Sequence, residues 1–167
     1  MPQILALDFE TANYEGNSAC QLGLVRLRDW AVVEARAWLI RPPSADFVFT
    51  HIHGLTWDHV KDAPTWDRLW PELAPYFAGV DYLAAHNAPF DRGVLQKTCA
   101  YYALPAPAQP FIDTVALARQ TWRIYPTKLN HVCEKLGIPL RHHEALSDAL
   151  ACAQILVRAA QTGWRPA

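Results

Sequence analysis

The chain predicts a mixed α/β fold, one sheet with helices packed on both faces. Three observations carry this. The first forty residues hold three apolar segments separated by turn signals, as in a strand meander. Beyond them, short apolar strands alternate with segments whose apolar residues recur at helical spacing. The length, 167 residues with 51% apolar and 19% charged, suits one globular domain over residues 1–167 with a full core.

The first strand covers Gln3 to Phe9 around the apolar run Ile4-Leu5-Ala6-Leu7. Asn13 to Ser18 is polar and carries Gly16, a turn signal. Cys20 to Arg28 and Ala31 to Ile40 alternate and read as strands, joined by a hairpin around Arg28-Asp29-Trp30. Pro42-Pro43 ends the third strand. From Pro64 to Phe77, Trp66, Leu69, Trp70, Leu73 and Phe77 recur at helical spacing, with Pro71 inside predicting a kink or break. Tyr82 to Ala85 is a short fourth strand and Phe90 to Tyr102 a helix. Phe111-Ile112-Asp113 makes a fifth strand, followed by helices at Thr114 to Trp122, Lys128 to Leu136 and Glu144 to Ala160. In the last, Leu146, Leu150, Ala153 and Val157 form an apolar face.

Three acidic segments stand out against this frame: Asp8-Phe9-Glu10, His86-Asn87-Ala88-Pro89-Phe90-Asp91 and His143-Glu144-Ala145-Leu146-Ser147-Asp148. Asp8 and Glu10 are two apart, so on a strand both side chains leave one face. Two carboxylates on one face repel unless a cation sits between them, and hard divalent cations such as Mg²⁺ or Mn²⁺ favour oxygen ligands. The simplest physical reading is a metal site at the end of a central strand, made from Asp8, Glu10, Asp91 and Asp148. His143 would be its proton-transfer group. Five residues turn a helix by about 140°, so His143 and Asp148 cannot share a helix face. His143 is therefore expected in the loop ahead of the last helix, after Gly137-Ile138-Pro139 ends the preceding one.

These motifs resemble those of the DEDDh family of 3′-5′ exonucleases, the DnaQ-like group that includes the proofreading subunit of bacterial DNA polymerase III, RNase T and oligoribonuclease. Asp8-Phe9-Glu10 matches the first motif, Asn87 to Asp91 the second, and His143 to Asp148 the third. Glu144 stands where the sister DEDDy branch has Tyr, which indicates the His branch. Ile52-His53-Gly54 looks like the family's substrate-proximal loop. The resemblance runs from Ile4 to about Leu156. It implies an RNase H-like five-stranded sheet, two Mg²⁺ or Mn²⁺ ions on Asp8, Glu10, Asp91 and Asp148, and His143 as general base. It also implies Thr11, Ile52, His53, Asn87 and Phe90 as contacts to terminal nucleotides, with single-stranded 3′ ends as the partner.

Other roles stand beside these. Asp91 in a first helical turn is stabilising without any metal, and Asp148 could be a solvated helix residue. His142 adjoins His143, but only His143 has the family spacing. His51 and His53 could ligate a metal, hydrogen-bond within a loop or contact a base. His86 and Asp113 read as structural groups at strand ends. Ser147, His143 and Asp148 lie too close in sequence for a nucleophilic triad, and no phosphate-binding glycine loop is present.

Net charge is −1, which argues against an extended basic face for duplex DNA and for a short contact at one strand end. The resemblance in length and in the Ile-His-Gly loop leans to DNA, with RNA trimming as the alternative. A non-catalytic binding module on the same fold would be expected to lack a motif residue, and all five are present. The chain ends soon after the last helix, which favours a stand-alone nuclease over a polymerase subunit. The seven tryptophans are expected to fill core or cover sheet edges. Cys20, Cys99, Cys133 and Cys152 have no paired spacing and read as buried thiols. With no signal peptide and no membrane-spanning run in view, a cytoplasmic location is the default expectation.

Overall fold

The run Ile4-Leu5-Ala6-Leu7 becomes the centre of β1 (Gln3–Thr11), and β1 becomes the centre of the sheet. The computed structural model describes all 167 residues. β2 (Ala19–Arg28) pairs antiparallel with β1, and β3 (Ala31–Leu39) antiparallel with β2. Their hairpin turns on Asp29 and Trp30, both at positive φ, the backbone of a two-residue type I′ loop. On the other side of β1 lie β4 (Tyr82–Ala85) and β5 (Phe111–Asp113), both parallel. The order is β3-β2-β1-β4-β5, the predicted mixed five-stranded sheet.

Side-chain alternation divides β1 between two cores. Leu5, Leu7 and Phe9 face α3 (Trp66–Phe77) and α4 (Ala88–Tyr101). Ile4 and Ala6 face α5 (Thr114–Trp122), α6 (Leu129–Leu136) and α7 (Ala145–Gln161). Asp8 and Glu10 continue the second stripe, so the apolar face under α7 ends in carboxylates at the carboxyl end of β1. Helices cover both faces, as the sequence predicted.

Three local expectations are revised. Pro71 does not break α3, which runs unbroken from Trp66 to Phe77. Pro71 and Pro75 are four apart on the exposed side of the helix, where carbonyls left without an N–H partner can turn to solvent. The Ile52-His53-Gly54 segment is not a loop but the end of a helical turn, α1 (Thr50–His53), closed by Gly54 at φ 77°. A second turn, α2 (Trp57–Val60), follows it. The buried stripe of α7 is Ala145, Ala149, Cys152, Ile155 and Ala159, with Leu146, Leu150 and Val157 on its flank. Small residues let α7 lie close to the sheet. Asp148 belongs to this stripe and is only 4% exposed, so it is not a solvated helix residue.

Trp66 is fully buried and Trp38 nearly so, while Trp30, Trp70, Trp122 and Trp164 pack against the cores. All four cysteines are buried and unpaired. No helix is long and apolar enough to cross a membrane.

Candidate active site

Three elements deliver the acids to one place. β1 presents Asp8 and Glu10 from one face, and α7 lays Asp148 over them. Carboxylate oxygens of Asp8, Glu10 and Asp148 come within 4.8 Å of one another. At an effective dielectric of about 20, unit charges that close repel by at least ~3 kcal/mol per pair. The protein supplies little relief. Asp8 Oδ2 is buried without a hydrogen-bond partner. Burial and then the charges of Asp91, Asp148 and Glu10 push the Asp8 carboxyl well above the usual carboxylate range. Burial, Asp148 and Asp91 push Glu10 up to about 8, and burial raises Asp148 against the lowering effect of His142. An orphaned carboxylate oxygen among like charges fits a bound divalent cation, and an all-oxygen donor set suits a hard one.

Asp91 arrives differently. β4 pairs with β1 only through Ile4, Leu5 and Ala6, and β1 runs on alone beyond them. Asp91, in the first turn of α4, fills the gap: its Oδ1 accepts the Phe9 N–H at 2.9 Å. That bond pulls its carboxyl down, but burial outweighs it and the net is about 8. The start of α4 is set by Asp113, whose Oδ1 accepts the N–H groups of Asn87, Ala88 and Val115. Asn87 itself takes the left-handed conformation at φ 69°, which Asn tolerates.

Above the acids is a hollow of about 250 Å³ lined by Phe9, Glu10, Thr11, Phe49, Ile52, His53 and Phe90. Ile52 and Phe90 are 40% and 49% exposed, large apolar side chains open to solvent beside a charged cluster. Thr11, Phe49 and Phe90 also line an adjoining hollow with the exposed Tyr14 and Lys97. A β-bulge after Glu10 pairs Thr11 with Ala19 and sets Thr11 at the rim. On the other side, His142, His143, Arg141 and Glu144 face Ile52 and His53.

The family model described as RNase T exonuclease matches residues 5–156. The chain belongs to the DEDDh family of 3′-5′ exonucleases. The PolC-type DNA polymerase III of Clostridium perfringens is 33% identical over 92% of the chain, and that of Thermotoga petrophila 30% over 92%. The chain spans only 11% and 12% of those proteins. Among solved structures, exonuclease X in complex with 5′ overhanging duplex DNA matches with a TM-score of 0.79 and 26% identity, covering 99% of this chain and 95% of that one. The nuclease domain of 3′hExo bound to rAMP shares the fold, with a TM-score of 0.83 and 22% identity over 97% and 93% of the two chains.

The exonuclease thus gathers most of the residues predicted from its sequence. Asp8, Glu10 and Asp148 meet, and Asp91 joins them through the end of β1. Thr11, Ile52, His53 and Phe90 line one hollow; Asn87 does not, its backbone instead shaping the turn into α4. His53 is held as a neutral ring: Nε2 donates to the Thr11 carbonyl at 2.9 Å and Nδ1 accepts from Leu55 N–H. With both nitrogens used, it offers a ligand only its ring face. His86 is structural, donating from Nε2 to the Thr127 carbonyl while Nδ1 accepts from Thr114. His143 lies ahead of α7 at φ 67°, in the loop as predicted, with its backbone N–H bonded to Asp148 Oδ2. Sequence reasoning missed Phe49, an aromatic wall with no motif around it. It also passed over the contact of His142, whose Nδ1 lies 3.3 Å from Asp148 Oδ1. The His142-His143 doublet was the available signal.

Proposed function

We propose that this exonuclease removes nucleotides one at a time from the 3′ end of single-stranded or frayed DNA, releasing nucleoside 5′-monophosphates. The observation that carries the reading is the orphaned Asp8 Oδ2 among Glu10 and Asp148, beneath a hollow walled by Ile52 and Phe90. Asp8, Glu10, Asp91 and Asp148 would hold two Mg²⁺ or Mn²⁺ ions. Such ions acidify a water and neutralise charge on the phosphodiester oxygens.

The chain's own residues do the rest. Ile52, Phe49 and Phe90 hold the terminal bases by stacking and apolar contact, which any base satisfies. Tyr14 and Lys97 carry the strand onward. His143 accepts the proton of the attacking water. Burial and the adjacent His142 lower its pKa, so it is neutral and basic at pH 7. Asp148 holds the His143 loop in place through the backbone bond at 3.2 Å. DNA is favoured by the similarity to PolC-type polymerases, and proofreading or DNA repair in the cytoplasm is the setting this implies.

The test is digestion of matched 5′-labelled DNA and RNA oligonucleotides in Mn²⁺. A ladder shortening from the 3′ end, faster on DNA, supports the reading. Faster loss of RNA would reassign the substrate, and internal cuts would overturn the exonuclease mechanism.

A further inference from the structure

We propose that His142, His143 and Asp148 form a second cation site that takes Zn²⁺ and switches the nuclease off. The site is distinct in chemistry from the all-oxygen set, and His142 is neither a ligand of the Mg²⁺ or Mn²⁺ ions nor the proton acceptor in the proposed reaction. Adjacent residues on a strand point to opposite sides. Here the left-handed turn at His143, φ 67°, brings two consecutive imidazoles into a stack, 3.7 Å between centroids and 25° between planes.

The turn is built rather than loose. Arg141 N–H donates to Ser147 Oγ at 2.7 Å, Glu144 N–H to the Arg141 carbonyl, and His143 N–H to Asp148 Oδ2. His142 Nδ1 stands 3.3 Å from Asp148 Oδ1, and ligand atoms of all three side chains lie within 4.8 Å of one another. Tetrahedral Zn²⁺ with nitrogen ligands at 2.0–2.1 Å sets its ligand atoms about 3.4 Å apart. Both rings are exposed, so a small rotation closes the set. Three protein ligands leave one position for water, as zinc accepts. Imidazole nitrogens favour Zn²⁺ over Mg²⁺ and Mn²⁺, whereas the Asp8 and Glu10 oxygens do not. Glu144 and Arg141 flank the site with opposite charges.

The consequence rests on the catalytic roles proposed above for His143 and Asp148. A cation here occupies the His143 lone pair and an Asp148 oxygen together, so turnover stops even in excess Mg²⁺. Asp148 is common to both sites, but it is the loss of the His143 lone pair, for which Mg²⁺ does not compete, that stops turnover.

Two measurements test this, one of them independent of activity. Co²⁺ serves as the spectroscopic probe for zinc. The wild-type protein should develop the intense visible absorption of four-coordinate Co²⁺ with nitrogen ligands, and His142→Ala should lack it. Zn²⁺ should also inhibit wild-type turnover in millimolar Mg²⁺, and His142→Ala should keep that turnover while needing more Zn²⁺. Losing a partner outside the ligand shell already weakens metal sites 10–100-fold, so losing a ligand should shift inhibition by about 100-fold or more. Equal zinc sensitivity in the two proteins, or the same Co²⁺ spectrum in both, would overturn the proposal. If the protein were no nuclease at all, the Co²⁺ comparison would still decide the site.

Discussion

Gly23 lies directly across the β1–β2 ladder from Asp8, and the backbone of Ala145 occupies the space above it. A Cβ on Gly23 would stand 2.6 Å from the Ala145 carbonyl carbon and 2.8 Å from the Leu146 nitrogen. The bare backbone at Gly23 is what lets the start of α7 rest on the sheet, three residues before Asp148.

Gly23→Ala should therefore lift α7 and carry Asp148 away from Asp8 and Glu10. Overpacking of this kind costs about 1–3 kcal/mol, so the melting temperature should fall. Turnover should drop more than stability explains, with the Mn²⁺ requirement raised and the KM for oligonucleotide little changed. Turnover and Mn²⁺ dependence equal to wild type would show that Gly23 does not position Asp148.

Asp8→Ala should reduce turnover by on the order of 10²-fold or more, the size expected for losing a main electrostatic contribution to the transition state. Without metal, the same variant should be as stable as wild type or more so, because it removes an unpartnered buried carboxylate and its repulsion. Melting curves with EDTA and turnover in Mg²⁺ check the two halves separately.

The acids also give stability a pH dependence of definite sign. Glu10 titrates near 8 in the folded protein against its ordinary 4.5, and Asp91 near 8 against 3.8. Both raised values mean that the folded state binds protons more tightly than the unfolded chain. Their contribution is full below about pH 4 and is lost as pH rises through 8. The metal-free melting temperature should fall across that window. Millimolar Mn²⁺ should reverse the trend near pH 8, because it binds the ionised carboxylates of the folded state. A metal-free melting temperature that rises from pH 5 to 8 would contradict the buried-acid assignment.

His143→Ala should cost about 10²-fold or more in turnover, a usual size for a lost general base, while binding of Mg²⁺ and Mn²⁺ by the carboxylates changes little. His142→Ala should stay near wild type in Mg²⁺. Its ring touches Asp148, but the His143 backbone N–H also holds that carboxylate. Single-turnover rates across pH would show a wrong register for the third motif if the two variants exchanged behaviour.

Much of this site was legible in the sequence, for physical reasons. Strand alternation alone puts Asp8 and Glu10 on one face, and helix rotation alone sends His143 to a loop. Other parts could not be read because they depend on what a neighbour leaves free. Asp91 caps the Phe9 N–H only because β4 stops short of the end of β1. Gly23 looks like any strand glycine until α7 is laid over it. The turns α1 and α2 are four residues each, too short to show a period. The buried stripe of α7 is made largely of alanines, whose weak hydropathy let the flanking leucines look like the core face.

The central claim is that the carboxylates ending β1 form a metal-dependent site for removing 3′-terminal nucleotides. The most direct measurement is release of mononucleotide from a 3′-labelled DNA oligonucleotide by wild type and Asp8→Ala, with Mg²⁺ or Mn²⁺ and with EDTA. The account predicts labelled nucleoside 5′-monophosphate from wild type with metal, almost none with EDTA, and almost none from Asp8→Ala under either condition. Equal release by Asp8→Ala, or undiminished release in EDTA, would contradict it.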